Sequence, residues 1–304
     1  MMVKTKWRKA KGLRYCVMKS QSAMEYLMTY GWAILIIAVV LGALFQLGVF
    51  NSMTFAPKAQ PGACQVYRPN GPGTTQFINT VGPCNGEIPQ FVAQFNGNGG
   101  ITVSNPIGEP SGTQPATATF WFSDPNPAGE GEVHFFSYGN EVCTGQAFTT
   151  GVSNAELFID TWCTQIFAPY TIKANTSYFG TVEINSTSEK VCIEGTSTGG
   201  LVCNSESITP NVAGSTPIYM GIWPSRPNYV GKLANIQFYN TYLSQPEIQA
   251  LYQEGIGGAP LRLQNLVGWW PLNGNANDYS GNNNNGNAIN VTYTTGWYSG
   301  YSAP

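Results

Sequence analysis

Few side chains in this chain are candidates for acid–base or nucleophilic chemistry. The 304 residues contain one histidine, His134, so a serine or cysteine hydrolase triad would have to use that imidazole as its base. His134 stands in the alternating run EVHFFSY with no catalytic motif around it, and such alternation is typical of a β-strand. We interpret His134 as a strand residue and expect no catalytic residue.

Carboxylate pairs are the other candidates for catalysis. Glycoside hydrolysis uses two carboxyl groups that flank the scissile bond, and Glu130 and Glu132 lie close together in the sequence. The glycine-rich FNGNGG segment lacks the strand–helix context and the lysine of a phosphate-binding loop, so we interpret it as a hairpin turn. The sequence does not give the separation of these two carboxylates in space, so the pair is weak evidence for glycoside hydrolysis. We expect that the protein is not an enzyme.

Six of the seven cysteines could form disulfides. An even number of cysteines in an exported chain favours a disulfide framework. We expect neighbours along the sequence to pair, which closes short loops, although other pairings remain open: Cys64 with Cys84, Cys143 with Cys163, and Cys192 with Cys203. A zinc site is the alternative interpretation, but the sequence has no CxxC spacing among these cysteines and only one histidine.

The composition is that of an exported, β-rich chain. Charged residues make up only 10% of the sequence, aromatic residues make up 13%, and there are 35 glycines. Asn175, Asn185 and Asn290 each begin an Asn-X-Ser/Thr triplet, which is the acceptor for N-glycosylation on extracellular surfaces. We therefore expect an extracellular glycoprotein.

The charges are unevenly distributed along the chain. Half of the 14 basic residues precede residue 21, and the remainder of the chain has 7 basic and 16 acidic residues, a formal net charge of −9. This balance argues against a nucleic-acid partner. Residues 26–57 contain no charged residue and no histidine, and about 20 apolar residues suffice for a transmembrane helix. The basic cluster before this segment predicts a cytoplasmic N terminus.

The segment KSQSAMEYL resembles the class III signal peptide of archaeal type IV pilin-like proteins. In that family a prepilin-type peptidase cuts before a glutamine, and a glutamate is the fifth residue of the mature chain. The matching cut here lies between Ser20 and Gln21, which makes Glu25 the fifth residue. The resemblance implies a cleaved leader over residues 1–20, a long hydrophobic α-helix over 21–50, and a linker over 51–61.

Glu25 is a charge at the edge of the uncharged segment, and we predict that it takes part in subunit assembly. After cleavage, the new amine of Gln21 could pair with Glu25 of a neighbouring subunit, because a buried charge is tolerated when it is paired. This contact would set the axial register of a filament. The alternative is that Ser22 and Glu25 form the capping box of a simple membrane helix.

The apolar period changes to that of β-strands after the linker. Short β-rich runs alternate with Gly, Pro, Asn and Ser clusters, and this spacing predicts an antiparallel sandwich. The runs are ATATFWF (116–122), EVHFFSY (132–138), AELFID (155–160), YFGTVEI (178–184), IYMGIW (218–223) and LANIQFYN (233–240). One helix is predicted in LSQPEIQALY, with Ser244 as N-cap, Glu247 three residues later and Gly255 as its end.

The segment GKLANIQFYNTYLSQPEIQALY is similar to the closing segment of laminin-G-like domains, which have the concanavalin A-like jelly-roll fold. FVAQFNGNGGITVSN (91–105) resembles an early strand pair of that family. LVGWWPLNGNANDYSGNNNNGNA (266–288) resembles its opening strand and loop, although it follows the closing helix. The resemblance implies a β-sandwich over 62–304.

The position of this opening-like segment favours a circular permutation, in which residues 266–300 supply a strand to the edge left vacant by the late start near Phe91. A truncated second repeat is the alternative, but only 38 residues follow Leu266, too few for a second sandwich, and domain termini often lie close together. In the permuted arrangement we expect Trp269, Leu272 and also Trp270 to be buried.

The laminin-G resemblance also implies Ca²⁺ at the rim of the sandwich and binding of glycans or proteins. The matching acidic position is Asp278 in NANDYSG, and Asn277, Asn282 and carbonyl groups could complete an oxygen ligand set. The alternative is that Asp278 only makes hydrogen bonds within its own turn. No other cofactor is expected.

These patterns together predict a structural subunit of an archaeal type IV pilus-like or adhesion filament. The precursor would sit in the cytoplasmic membrane, be cut by the prepilin-type peptidase, and then join identical subunits through its helix. The lectin-like sandwich would be displayed outside the cell to bind glycans or other cell surfaces. The alternative is a monomeric, membrane-anchored extracellular module that binds or acts on glycans.

Overall fold

The computed structural model describes residue 28 and residues 30–42, 64–71, 74–80, 89, 91–129 and 131–295. The chain divides into two compact units, Met1–Lys58 and Ala59–Pro304. Several features predicted near the N terminus lie outside the described residues: the leader, the cleavage site at Ser20 and Gln21, Glu25, and the linker over 51–61.

Residues 30–42 of the first unit form a helix whose described side chains are all exposed. Trp32 is 65% exposed and Ile34 is 62% exposed. A helix that is apolar on all sides normally packs in lipid or against other helices. Within the described part of the chain, no helix has both the length and the apolar character needed to cross a membrane. The remainder of the helix predicted over 21–50, apart from residue 28, is not among the described residues.

The second unit contains a separate β-hairpin and two larger β-sheets. The hairpin pairs β1 (Cys64–Gly71) with β2 (Thr74–Thr80). The eight-stranded sheet contains β3 (Val92–Asn96), β5 (Ala116–Ser123), β10 (Ser177–Ile184), β11 (Ser188–Glu194), β12 (Val202–Ser207), β14 (Val230–Tyr239), β15 (Leu266–Trp270) and β17 (Thr292–Thr294). The seven-stranded sheet contains β4 (Gly100–Val103), β6 (Val133–Gly139), β7 (Ala147–Ser153), β8 (Glu156–Asp160), β9 (Gln165–Phe167), β13 (Ile218–Met220) and β16 (Asn287–Ile289).

The two large sheets pack face to face as an antiparallel sandwich. The strand order is β12-β11-β10-β5-β14-β3-β17 in the first sheet, where β15 also pairs with β14, and β16-β4-β13-β6-β7-β8-β9 in the second. All the described pairings are antiparallel. The predicted antiparallel β-sandwich is confirmed, and the arrangement is consistent with a jelly roll.

The main core lies between the sheets and is rich in aromatic side chains. Phe120 and Phe122 of β5 meet Phe135 of β6, with ring centroids 5.6 Å and 4.8 Å apart. Full burial of each such side chain stabilises the fold by about 1.5–3 kcal/mol. The alternation seen in the sequence therefore positions one face of each sheet against the other.

A second, smaller core lies on the outer face of the eight-stranded sheet, under helix α1 (Gln245–Glu254). Ile248 and Leu251 of the helix are buried there, and Tyr252 stacks on Trp121 of β5 with ring centroids 5.6 Å apart. Because β5 is covered on both faces, seven successive residues of this strand are buried. This explains why ATATFWF is a nearly continuous apolar run.

The start and end of α1 follow the predicted capping pattern. The amide of Ser244 donates a hydrogen bond to Glu247 Oε2 at 2.8 Å, and the Ser244 hydroxyl donates to the same oxygen at 2.6 Å. Gly255 ends the helix with a φ of 83°, a conformation that glycine adopts without steric cost. The predicted helix and its N-cap are confirmed.

The C-terminal tail contributes strands to both sheets of the sandwich. β15 pairs with residues 236–239 of β14, whereas β3 pairs with residues 230–233 on the same side. β15 thus lies end to end with β3 along β14. It fills the position that is vacant because the first strand of the sandwich begins only near Phe91. Trp269, Trp270 and Leu272 are buried. The further tail strands β16 and β17 pair with β4 and β3.

The predicted pairing of β3 with β4 is wrong, since these strands lie in different sheets. A Cβ atom at Gly99 would lie 2.0 Å from the carbonyl oxygen of Ile289, so glycine is needed where two backbones nearly touch. The FNGNGG segment is therefore a crossover between the sheets and not a hairpin turn. Local turn residues do not distinguish these two cases, because both require glycine and asparagine.

Candidate functional site

A cleft of about 350 Å³ lies beside the end of β6 and the loop after β13. β6 and β13 are neighbours in the seven-stranded sheet, with Tyr219 opposite Ser137. Main-chain pairing therefore brings together two segments that are far apart in the sequence. The lining residues are Gly139, Asn140, Glu141, Thr216, Pro217, Tyr219, Trp223, Pro224 and Ser225.

Two aromatic residues line the cleft, Tyr219 and Trp223. Tyr219 is half-buried and meets Trp223 edge to face, with ring centroids 5.6 Å apart. Trp223 also stacks on His134 at 5.9 Å and lies 6.2 Å from Trp162. These contacts hold the indole in place on several sides. Its buried Nε1 has no hydrogen-bond partner among the described residues.

The backbone after β13 turns sharply at Gly221, which has a φ of 72°. A Cβ atom at this residue would lie 2.3 Å from the Phe95 ring, so only glycine fits here without displacing the core. The Gly221 carbonyl accepts a hydrogen bond from the Tyr229 amide at 2.9 Å, which closes the base of the loop. This turn ends the predicted IYMGIW strand at Met220 and leaves Trp223 in a loop above the sheet.

Polar groups also line the cleft. Asn140, Glu141 and Ser225 are exposed, and the Ser225 hydroxyl donates a hydrogen bond to Glu141 Oε1. Thr216 Oγ1 accepts a hydrogen bond from the Gly139 amide at 2.8 Å. The site thus combines a fixed aromatic surface with a few hydrogen-bonding groups, the usual composition of a small-molecule site.

Glu132 is the centre of a polar cluster that borders the aromatic residues of the cleft. Its Oε1 accepts hydrogen bonds from Arg226 Nε at 2.8 Å and His134 Nε2 at 3.2 Å, and Oε2 accepts one from Gln165 Nε2 at 3.2 Å. The Arg226 guanidinium lies 5.1 Å from the centre of the Trp162 ring. These contacts fix the orientation of the arginine.

The ionisable groups of this cluster have shifted pKa values. The hydrogen bond from His134, reinforced by Arg226, lowers the pKa of Glu132 to about 2 although burial opposes the shift. Burial lowers the pKa of His134, although Glu132 acts in the opposite direction. His134 is therefore neutral at neutral pH, with Nε2 as the donor to Glu132 and Nδ1 bonded to the Ser137 hydroxyl at 3.2 Å.

His134 lies in β6, the strand position that its sequence context indicates. Of the two carboxylates considered for glycoside hydrolysis, Glu132 belongs to the polar cluster and Glu130 is outside the described residues. Tyr219, Trp223 and Glu141 were not singled out from the sequence. The outward position of Tyr219 in a strand run is the only local signal that could have indicated them.

Two disulfides match the predicted pairing of sequence neighbours, Cys143–Cys163 and Cys192–Cys203. Sulfur atoms bonded in this way are not available as zinc thiolates. The first disulfide joins the loop that carries Glu141 to the loop that carries Trp162, so it connects two borders of the site. For the third pair, Cys64 lies in β1 and Cys84 is outside the described residues.

Asp278 is buried and accepts four hydrogen bonds, three from its own turn and one from β15. Oδ1 accepts the amides of Trp269 and Ser280, both at 2.9 Å. Oδ2 accepts the Ser280 hydroxyl at 2.8 Å and the Asn284 amide at 2.9 Å. Two donors on each oxygen occupy its lone pairs, which favours the structural alternative for Asp278, and Ca²⁺ binding stays a prediction. In the described ranges, no three His, Cys, Asp or Glu side chains are arranged to hold a metal ion.

The three predicted glycosylation positions lie at the surface of the sandwich. Asn175 and Asn290 are exposed, and Asn185 is half-buried. Asn185 Oδ1 accepts hydrogen bonds from the Thr187 amide at 2.9 Å and hydroxyl at 3.1 Å, whereas Asn290 Nδ2 donates to the Asn98 carbonyl at 3.0 Å. Modification of these residues stays a prediction.

No protein-family profile matches this chain, and no curated protein sequence matches it. Solved structures do resemble it. A Bacteroides ovatus protein provisionally described as carbohydrate-binding has a TM-score of 0.51 and 12% identity, over 73% of this chain and 64% of that one. A heptameric SAP-like pentraxin from Limulus polyphemus has a TM-score of 0.47 and 11% identity, over 68% and 95% of the two chains.

The LG1-3 region of the laminin alpha2 chain has a TM-score of 0.40 and 16% identity, over 55% of this chain and 35% of that one. This chain therefore spans only about a third of that laminin structure, and it spans 64% of the Bacteroides ovatus protein. At these levels of identity the likenesses concern the fold alone. The β-sandwich expected from the laminin-G resemblance agrees with the fold of the Bacteroides ovatus protein.

Proposed function

We propose that the second unit is a glycan-binding module and that its ligand occupies the cleft between Tyr219, Trp223 and Glu141. One observation carries this proposal: aromatic side chains and exposed hydrogen-bonding groups line the same cavity of about 350 Å³. A pyranose ring has an apolar C–H face that packs on an aromatic ring and a rim of hydroxyl groups that need polar partners. The lining of the cleft supplies both kinds of contact.

Other features support a glycan-binding module outside the cytoplasm. The Bacteroides ovatus protein with a similar fold is provisionally described as carbohydrate-binding. Disulfides persist in oxidising environments, and the sandwich contains Cys143–Cys163 and Cys192–Cys203. An extracellular location also agrees with the exposed sequons at Asn175 and Asn290.

We propose binding without catalysis. Glu132 has a pKa of about 2 because His134 and Arg226 donate hydrogen bonds to it, so at neutral pH it holds no proton to give to a leaving group. The neighbouring imidazole of His134 is buried and engaged with Glu132 and Ser137. These contacts indicate that Glu132 and His134 position Trp223 and Trp162 rather than act on a substrate.

The test is to measure binding of a panel of neutral mono- and oligosaccharides to the full chain by calorimetry and ligand-observed NMR. Replacing Tyr219 by Ala removes the half-exposed ring of the cleft, and we expect it to weaken binding at least about tenfold. Tyr242→Ala is the matched control, because Tyr242 contacts Lys190 of the eight-stranded sheet and does not line the cleft. Unchanged affinity in Tyr219→Ala, or no binding of any sugar to the wild type, would refute the proposal.

A second candidate function is a filament subunit, which the exposed apolar helix over residues 30–42 favours. In this proposal a peptidase removes residues 1–20, and the helix then packs against identical subunits while the sandwich faces outward. Contacts between two different surfaces of identical subunits generate an open filament. Monomeric anchoring in a membrane by the same helix is the competing arrangement.

Mass spectrometry of the exported protein tests the processing step, since the filament proposal requires Gln21 as the first residue. Glu25→Ala should then leave the subunit in the membrane and reduce assembly, because the amine of a neighbouring Gln21 would lose its partner. Electron microscopy of shed surface material gives the readout. An N terminus at Met1, Met2 or Met18 would refute this second function and leave the glycan-binding proposal intact.

A further inference from the structure

We propose that the cleft selects uncharged glycans and rejects acidic ones, and that the Glu141 carboxylate is the group responsible. This inference rests on the proposed function, because it concerns the ligand of the same cleft. It rests on the charged groups that line the cleft, on those that lie beside it, and on the partners that these groups already have.

Glu141 is the only charged residue among the described residues that line the cleft, and it is exposed. An ionised carboxylate accepts hydrogen bonds and donates none. It therefore pairs well with sugar hydroxyl groups, which donate. A uronate or a sulfated sugar would bring a second anion to a site whose one lining charge is already negative, and like charges a few ångströms apart repel.

Arg226 is the nearest candidate to offset this negative charge, but it already has a partner. Its Nε donates to Glu132 at 2.8 Å, and its guanidinium lies over Trp162 rather than in the lining of the cleft. The hydrogen bond with Glu132 is the main reason that the pKa of Arg226 is raised, and Glu141 and Asp160 also act in this direction. The arginine thus lies among several carboxylates and leaves no net positive charge beside the cleft.

His134 adds no positive charge either. It is buried behind Trp223, and burial lowers the pKa of its imidazole. The remaining lining groups are neutral: backbone at Gly139, the prolines Pro217 and Pro224, and amide or hydroxyl side chains. Residues 59–304 together contain 6 basic and 15 acidic residues, so the long-range field also disfavours anionic ligands.

The test uses matched pairs of sugars that differ in one charged group. The probes are the methyl pyranosides of glucose, galactose and mannose, each compared with its uronic acid, in which a carboxylate replaces the C6 hydroxymethyl group. Affinities for the full chain are measured at about 0.02 M and about 0.5 M NaCl, because salt screens exposed charges. We expect the neutral member of any bound pair to bind about fivefold more tightly at low salt, and the ratio to fall towards one at high salt.

Glu141→Gln identifies the group responsible. A glutamine Oε1 can still accept the hydrogen bond from Ser225, so the local contact is preserved while the charge is removed. We expect this variant to lose most of the selectivity, mainly because the acidic sugar binds more tightly than it does to the wild type. Glu206→Gln, on the exposed edge strand β12 of the other sheet, is the matched control and should keep the wild-type ratio.

Two results would overturn the inference while leaving the proposed function standing: equal or tighter binding of the uronic acid by the wild type at low salt, or an unchanged ratio in Glu141→Gln. If no neutral sugar binds to the wild type, the proposed function itself is refuted and the inference falls with it. Binding of neutral sugars that Tyr219→Ala weakens at least about tenfold, together with loss of selectivity in Glu141→Gln, supports both.

Discussion

The outer faces of the two sheets differ in what covers them. On the eight-stranded sheet, α1 and the C-terminal tail bury Trp121, Phe179 and Trp269 in a second core. On the seven-stranded sheet, Tyr219 and Trp162 remain half-exposed beside a cleft. Both faces contain large aromatic side chains, so aromatic content alone does not separate a stabilising face from a recognition face.

The polar groups of the two faces differ in the same way. On the covered face, Trp269 Nε1 donates to Asn235 Oδ1 at 2.8 Å, Gln237 Nε2 donates to the same oxygen at 3.1 Å, and the Tyr239 hydroxyl donates to Gln237. These groups satisfy one another, as buried polar groups normally do. At the cleft, the exposed Glu141 carboxylate is accessible to a ligand. A completed network stabilises the fold, whereas accessible polar groups permit recognition.

The largest effect should come from removing the C-terminal tail, which supplies β15 to the eight-stranded sheet and side chains to both cores. A stop codon after Gln264 deletes β15 and with it Trp269, Trp270 and Leu272. Each of these buried side chains contributes about 1.5–3 kcal/mol or more, against a total stability of about 5–15 kcal/mol for a typical domain. We expect the truncated chain to lose its cooperative thermal transition, measured by circular dichroism. An unchanged transition would show that the tail is dispensable and that the permutation interpretation is wrong.

The second prediction compares one aromatic side chain from each face. Trp121→Ala should lower the free energy of unfolding by about 3–5 kcal/mol, because it leaves a cavity under α1. Tyr219→Ala should lower it by only about 1 kcal/mol or less, because the ring is half-exposed, although we expect it to weaken sugar binding. Urea unfolding of both variants checks this. Equal losses of stability would remove the distinction between the two faces.

The third prediction compares the two disulfides. Replacing either pair by serine should cost about 3 kcal/mol, since each bond closes a loop and constrains the unfolded chain. Only Cys143→Ser with Cys163→Ser should also weaken sugar binding, because this bond joins the loops that carry Glu141 and Trp162. Calorimetry on both double variants gives the result. Equal binding by the two would indicate that Cys143–Cys163 does not shape the cleft.

The fourth prediction concerns pH and a buried carboxyl group of the eight-stranded sheet. Glu189 is buried, and burial raises its pKa from 4.5 to about 8. The unfolded chain therefore releases this proton near pH 4.5 and the folded chain only near pH 8, so folding stability falls as pH rises between these values. Glu189→Gln should remove this slope, so its stability relative to the wild type should increase as pH rises towards 8. Urea unfolding across this range measures it.

Glu132 provides the contrasting control for that experiment. Its folded pKa of about 2 lies below the value of 4.5, so its contribution to stability is present above pH 4.5 and is lost as pH falls towards 2. Glu132→Gln should therefore destabilise the protein near neutral pH, the opposite sign to Glu189→Gln. If the free energy of unfolding changed with pH in the same way in both variants and in the wild type, the pKa shifts of Glu132 and Glu189 would be contradicted.

Much of the fold could be predicted from local patterns. Period-two runs predicted strands that became β5, β6, β8, β10 and β14, and the Ser244–Glu247 pattern predicted α1 and its N-cap. The apolar segment around Trp269 predicted a buried tail strand. The hairpin at FNGNGG was wrong, because glycine serves equally in a turn and in a crossover between sheets. Asp278 was matched to a ligand position; the structure shows four donors at its oxygens, three from its own turn and one from β15, and Ca²⁺ binding stays a prediction.

The sequence by itself determined the elements of this protein, because strand period, helix capping and burial of apolar side chains depend on residues that are near one another in the chain. Only the tertiary structure decided the site. Alternation shows that Tyr219 points to the opposite face from Ile218 and Met220, but which face is covered depends on where α1 and the tail pack. Pairing of β13 with β6 then brings Tyr219 and Trp223 beside Glu141, and contacts between such distant segments leave no local pattern.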